Sequence, residues 1–379
     1  MGDTTAIEWC DATFNIWMGC SKVHVGCASC YAMTQTPVRT SRTTWGEVWQ
    51  GGTRTMMSAD YWKKPVTWAR QAAAAGVRRR VFCSSLADVL EVPADVPDSI
   101  RDGGAAALRV AEARDAMASA RERLWGVIRA THFVCSNERS GRCLQPSPGQ
   151  DPGTCAGCGA AAGGLDWLLL TKRPENWALV PEDVRPLVWL GTSVSDQATA
   201  DEMVPRLLQA DGFRYRFVSA EPLVGPLDLR KFMWPVRGWW RFPYQSYAEA
   251  KAAGAECGLS RQALVSAHSR FLDWVIVGGE SGNKARPCHV EWVRDVVRQC
   301  RDAAVPSFVK QLGEVPVIRE PAPGEDPFTP DREWPSGTRF GNHRHVEGLN
   351  GRVVRLNDSK GGDMAEWPEY LRVREFPHD

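Results

Sequence analysis

An α/β fold built as a partial (β/α) barrel with two insertions is predicted by three features of this 379-residue chain. Short apolar runs alternate with amphipathic helical stretches, the runs are continuously rather than alternately hydrophobic, and polar clusters follow their C-terminal edges. Continuous apolar runs suit strands buried on both faces, as in a parallel sheet. Strand alternating with helix six or seven times suits a full or partial barrel, with a doubly wound open sheet as the competing arrangement. With 43% hydrophobic and 24% charged residues, the chain has the composition of a globular protein with a large core.

The first strand is expected at Thr13 to Met18, followed by a strand at Arg79 to Ser85 and an Ala- and Arg-rich helix from Gly104 to Ala130. Strands at Leu165 to Thr171 and Val188 to Val194 precede a helix from Gln197 to Gln209. Strands at Arg216 to Ala220 and Leu272 to Gly278 come next. A helix from His289 to Ala304 then carries Val290, Val293, Val297 and Cys300 on one stripe, and Ser307 to Gln311 closes the series. The expected organisation is a barrel in three pieces, 1–131, 165–229 and 272–320, interrupted by a Cys-rich insertion at 132–164 and an aromatic, basic insertion at 230–271. A tail at 321–379 is expected to pack on the barrel.

Lys and Arg number 46 against 45 Asp and Glu, so no global field favours nucleic acid or an anionic surface, and any basic groove must be local. The opening residues lack a positive segment followed by an apolar one, and no apolar run reaches about 18 residues. A soluble, cytoplasmic protein with no membrane partner is expected. Twelve cysteines in such a chain read as metal ligands, reactive thiols and small core residues rather than a disulfide framework.

Functional side chains recur where the strands end: Ser84, Ser85 and Asp88; Lys172 and Arg173; Ser193; Glu221; Gly278, Gly279 and Glu280; Lys310 and Gln311. Barrel enzymes assemble their sites from those ends. Cys20, Cys27 and Cys30, spaced C-x6-C-x2-C after the first strand, are expected to open onto the same face. Three thiolates are one short of a closed structural site, and an open coordination position is what a catalytic metal centre keeps. The competing reading is zinc held by these cysteines with His24 as fourth ligand.

Cys135, Cys143, Cys155 and Cys158 lie in or beside a Gly-, Ser- and Pro-rich stretch with few apolar residues, where a structural zinc would let the segment fold; unpaired loop thiols or a second cluster are the alternatives. In the second insertion Arg237 and Trp240 stand among aromatic and basic residues suited to stacking on bases and meeting phosphates. A lid packed on the barrel mouth would use the same residues.

Ala6 to Asn15, the cysteine loop ending in Tyr31-Ala32, Thr171-Lys172-Arg173-Pro174-Glu175, Trp189 to Val194, Ser219-Ala220-Glu221-Pro222-Leu223, Val277 to Gly282 and Lys310 to Gly313 together resemble a largely uncharacterised family encoded by phages and actinobacteria. Its members are often encoded beside a three-Cys-motif partner protein; they resemble radical S-adenosylmethionine (SAM) enzymes and are distantly similar to spore photoproduct lyase. The resemblance implies a partial barrel of the radical SAM type. In it Cys20, Cys27 and Cys30 would hold a [4Fe-4S] cluster whose unique iron chelates SAM, and a one-electron reductant would be needed to release a 5′-deoxyadenosyl radical. On that reading Ser84, Ser85, Asp88, Lys172, Arg173, Ser193 and Glu221 contact SAM, Gly278-Gly279-Glu280 lets backbone approach adenine or substrate, and Lys310 and Gln311 touch substrate or close the barrel. A nucleic acid, in DNA repair or base modification, is the expected substrate; a peptide or small metabolite, and a non-catalytic zinc-dependent adaptor, are the alternatives.

Overall fold

The structure, a computed structural model, describes residues 5–30, 32–33, 43–100, 103–137, 153–233, 271–282, 284–319, 334–346 and 349–377. Strands β1 (Ala12–Thr13), β2 (Trp17–Met18) and β3 (Thr55–Met56) open the chain, followed by helix α1 (Lys64–Ala75), β4 (Arg78–Cys83) and helix α2 (Gly103–Thr131). β5 (Val134–Cys135), β6 (Ala162–Thr171), β7 (Val188–Val194), helix α3 (Gln197–Leu208) and β8 (Tyr215–Ala220) come next. Then follow β9 (Trp274–Gly278), β10 (Cys288–His289), helix α4 (Val290–Asp302), β11 (Ser307–Gln311), β12 (Pro316–Arg319), β13 (Arg339–Val346) and β14 (Leu349–Arg355).

Seven of these strands form one sheet in the order β1-β4-β6-β7-β8-β9-β11, every neighbouring pair parallel. This is the curled parallel half-barrel that the alternating pattern predicts. The expected first strand at Thr13 to Met18 is instead two short strands. Buried Asn15 accepts from the Leu86 N–H at 2.7 Å and donates to Ser85 Oγ at 3.2 Å, so the chain bends there and β2 leaves to pair antiparallel with β3. A four-stranded sheet, β10-β12-β14-β13, stands beside the half-barrel. The C-terminal segment covers the β11 edge, where Val309 N donates to Val373 O and Glu375 N to Ser307 O. No helix among the described residues is long and apolar enough to cross a membrane.

The two faces of the sheet carry different cores. Outward positions such as Val81, Leu169, Leu190, Val218, Val275 and Val309 pack under the helices, where Val290, Val293, Val297 and Cys300 of α4 are buried as their stripe predicts. Inward positions Phe82, Leu168, Trp189, Phe217, Trp274 and Phe308 join Trp9 in a second cluster that fills the lower part of the half-barrel. Trp9 lies 4.6 Å from Phe82 and 6.4 Å from Trp274, centroid to centroid, in tilted and edge-on contacts. Gly191 makes room for this floor, because a Cβ there would lie 2.4 Å from the Phe217 ring. Gly191→Ala is therefore expected to lower stability by about 1–3 kcal/mol through overpacking, measured by urea unfolding. A variant as stable as the parent would mean that the floor has slack.

Candidate active site

Side chains alternate between the faces of a strand, so the face that carries the aromatic floor carries, further along each strand, whatever stands at the mouth. That alternation runs from Phe82 to Ser84, from Leu168 through Leu170 to Lys172, and from Trp189 through Gly191 to Ser193. It runs likewise from Phe217 through Ser219 to Glu221, from Ile276 to Gly278, and from Phe308 to Lys310. Contacts between these residues agree. Lys172 Nζ donates to Ser193 Oγ at 3.2 Å, and Lys310 Nζ pairs closely with the Glu221 carboxylate.

The cysteine loop is tied across this mouth. Gly19, with φ of 109°, donates its N–H to Leu86 O at 3.1 Å, and a Cβ on it would lie 2.3 Å from Thr53 O. Arg173, following β6, donates from Nη1 to Cys20 Sγ at 3.6 Å and from Nη2 to Ser21 O at 3.1 Å. Glu91, fully buried, accepts from Ser21 N at 3.0 Å, from Arg173 at 3.3 Å, and from Arg54 through both oxygens at 2.6 and 2.7 Å. A helical turn at Val25–Cys27 is capped by His24, whose Nδ1 accepts from Gly26 N at 3.0 Å. Arg286 donates to Val25 O at 3.1 Å while holding Glu280 through two bonds of 2.9 Å. Gly26 lies against the end of β7, since a Cβ there would be 2.4 Å from Ser195 Oγ. The loop thus touches the exits of β4, β6, β7 and β9.

The electrostatics favour a neutral thiol at Cys20. Burial, followed by the Glu91 charge, raises the Cys20 pKa, and Arg173 opposes both. A metal ion is the partner that removes such a proton. Burial, with Lys172 second, pushes the His24 pKa down to about 4. His24 is therefore neutral at pH 7, and with Nδ1 accepting, its proton sits on Nε2.

A single zinc ion imposes a definite spacing on its thiolates. Tetrahedral zinc with Zn–S bonds of about 2.3 Å holds its thiolates about 3.8 Å apart. Among the described residues, the group of three ligand atoms lying within 4.8 Å of one another is Cys135, Cys155 and Cys158. Cys20, Cys27, Cys30 and His24 do not all lie within that distance of one another.

Other sequence-predicted residues take up defined places. Asp88 accepts from Thr171 Oγ1, Leu90 N, Lys172 N and Arg173, which leaves it holding the loop with Arg173 rather than facing the mouth. Ser85 bonds Asn15. Gly279 N donates to Gln311 O at 3.0 Å, Gln311 Nε2 donates to Gly279 O at 2.9 Å, and a Cβ on Gly279 would lie 2.3 Å from Leu312 O. These glycines and Gln311 accordingly close β9 on β11. Arg237, Trp240 and Cys143 lie outside the described residues. Lys172 is different: no carboxylate pairs with it among the described residues, so it stands as a half-buried cation at the mouth.

Arg54, Glu91 and Arg286 are the functional residues that sequence reasoning missed. Glu91 meets Arg54 across 37 positions of chain, and Arg286 meets Val25 across 261, so no local pattern marks either contact.

No curated protein matches the chain. Among solved structures, it is similar to a variant of spore photoproduct lyase, with a TM-score of 0.31 and 9% sequence identity over 90% of this chain and 68% of that one. A second variant of that lyase, with dinucleoside spore photoproduct, gives a TM-score of 0.32 and 9% identity over 90% and 67%. The family described as "Protein of unknown function (DUF5131)" matches residues 4–118 and 156–358, which take in most of the chain and every strand of the half-barrel, and the chain belongs to that family.

Proposed function

We propose that this protein is a radical SAM enzyme acting on nucleic acid, with Cys20, Cys27 and Cys30 as the ligands of a [4Fe-4S] cluster. The observation that supports it most is a three-cysteine loop tied over the C-terminal mouth of a parallel half-barrel. Bound there, the cluster and SAM would supply a one-electron reductive cleavage that releases a 5′-deoxyadenosyl radical.

The chain's own residues divide the remaining work. Arg173 orients Cys20 through an N–H···S bond and offsets the charge its thiolate would carry. Lys172, which has no carboxylate partner among the described residues, suits the carboxylate of the methionyl group, with Ser193 beside it. Lys310 and Glu221, paired at the ends of β11 and β8, offer a donor and an acceptor to a substrate at the mouth. The aromatic floor excludes water from below. The nucleic-acid assignment rests on the aromatic and basic residues of 230–271, including Arg237 and Trp240.

Anaerobic purification is expected to yield a brown protein containing iron and sulfide that, with dithionite as reductant, converts SAM to 5′-deoxyadenosine. A colourless chain that binds zinc alone would sink the proposal. Binding of single-stranded DNA or RNA at low salt, weakened by Arg237→Ala or Trp240→Ala and falling as salt rises, checks the substrate class. Absence of such binding would remove nucleic acid and leave the radical chemistry to be judged on 5′-deoxyadenosine alone.

A further inference from the structure

Cys135, Cys155 and Cys158 form a second constellation, on the opposite side of the sheet's logic from the mouth: they stand at the start of β6, whereas the catalytic residues follow its end. Cys135 ends β5, which pairs antiparallel with β6 through Val134 with Gly163 and Cys135 with Ala162. Cys155 and Cys158 occupy a tight turn entering β6. In that turn Gly159, at φ 71°, donates its N–H to Cys155 O at 2.9 Å, and Cys155 N donates to Ala160 O at 2.8 Å. The turn is fixed to β5 by Ser136 N donating to Ala161 O at 2.8 Å.

We propose that these three cysteines bind a zinc ion, its fourth position taken by a ligand beyond them, that staples the entry of β6 to β5, a site separate from the cysteine loop at the mouth. Four observations carry this. All three sulfurs lie within 4.8 Å of one another, and Cys135 and Cys158 are 3.5 Å apart, close to the thiolate spacing about a tetrahedral zinc and far beyond a disulfide bond of about 2.05 Å. The Asn137 N–H points at Cys135 Sγ at 3.3 Å, the kind of amide donor that steadies a metal-bound thiolate. The surroundings form a very small core, in which Cys135, Cys155 and Ala162 are buried with Phe133 and Ala160 beside them; apolar burial on that scale contributes little by itself. Finally, the family match breaks between 118 and 156, so Cys135 belongs to a stretch that the family as a whole does not specify.

Sulfurs this close fit one ion and not a multi-iron cluster, and thiolate ligands select zinc among the common divalent ions. The staple has a mechanical sense. β6 begins where its backbone passes others closely, a Cβ on Gly164 being 2.1 Å from His132 O and one on Gly163 being 2.2 Å from Val77 O. Fixing this end sets the register of the strand that delivers Lys172 and Arg173 to the mouth.

Metal analysis of the full chain, purified anaerobically, tests the proposal. About one zinc per chain is expected, both in the parent and in Cys27→Ala, where iron should be missing, and Cys158→Ser should lose it. Cys158→His, which keeps a ligand, should retain zinc and the parent's thermal midpoint. Should Cys158→Ser fail to fold, cobalt substitution in Cys27→Ala gives the second readout, with a thiolate-to-cobalt charge-transfer band expected in the near ultraviolet. Zinc absent from the parent, zinc lost with Cys27, or zinc retained by Cys158→Ser would each overturn the site.

Discussion

Cys27→Ala is expected to leave the purified chain without iron or acid-labile sulfide and to reduce 5′-deoxyadenosine formation to the level seen without enzyme. Cys27 is buried on the helical turn that His24 caps, so alanine fits its place and the loop keeps its ties through Arg173, Glu91 and Arg286. What disappears is one of three thiolates, and two do not hold a four-iron cluster whose fourth iron must stay open. Cys10→Ala is the matched control. Its thiol is buried at the opposite end of the strands, donates to Ile7 O at 3.6 Å, and is pushed up to about 12, chiefly by burial. That variant should keep its full iron content. Iron retained in Cys27→Ala, or lost equally in Cys10→Ala, would separate the cluster from the loop and end the assignment.

Glu91→Gln is expected to cost about 3–5 kcal/mol of folding stability, a large share of the 5–15 kcal/mol typical of a domain. Both partners of the Arg54–Glu91 pair have side chains only 1% exposed, and Arg173 leans on the same carboxylate. A neutral amide keeps the shape but leaves a guanidinium buried without its counter-charge, and turns an N–H donor toward a group that only donates. Urea unfolding monitored by far-ultraviolet circular dichroism measures the loss. Adding Arg54→Met should recover much of it, because removing both charges is far less costly than removing one. A single variant within about 1 kcal/mol of the parent would show that the pair is not what ties Ser21, and with it Cys20, to the fold.

The strands of the half-barrel were legible because each buries both faces: Val188–Val194 and Ser307–Gln311 coincide with their apolar runs, and the other runs differ from the strands by a few residues at their ends. The first strand was misplaced because Asn15, polar yet wholly buried, satisfies the backbone near Leu86 and breaks the run, which apolar periodicity cannot register. At the candidate site, the polar clusters gather at one edge of the sheet, but residue type alone could not say which groups face the mouth. Asp88 and Arg173 are as polar as Lys172, yet they hold each other and the loop, while among the described residues the Lys172 ammonium meets the Ser193 hydroxyl. Asp196, an acidic residue just past β7, is likewise structural: it caps α3, its carboxylate accepting from Thr199 N at 2.8 Å.

The ring-filled floor also sets a rule of approach. With Phe82, Trp189, Phe217, Trp274 and Phe308 packed together at the far end, the half-barrel is filled from below. On the proposed function, a polymer would react at the mouth by presenting a single unit out of line, as a free end or as a residue swung away from its neighbours. For a nucleic acid that means an unstacked base or sugar, most cheaply one already damaged, mispaired or single-stranded.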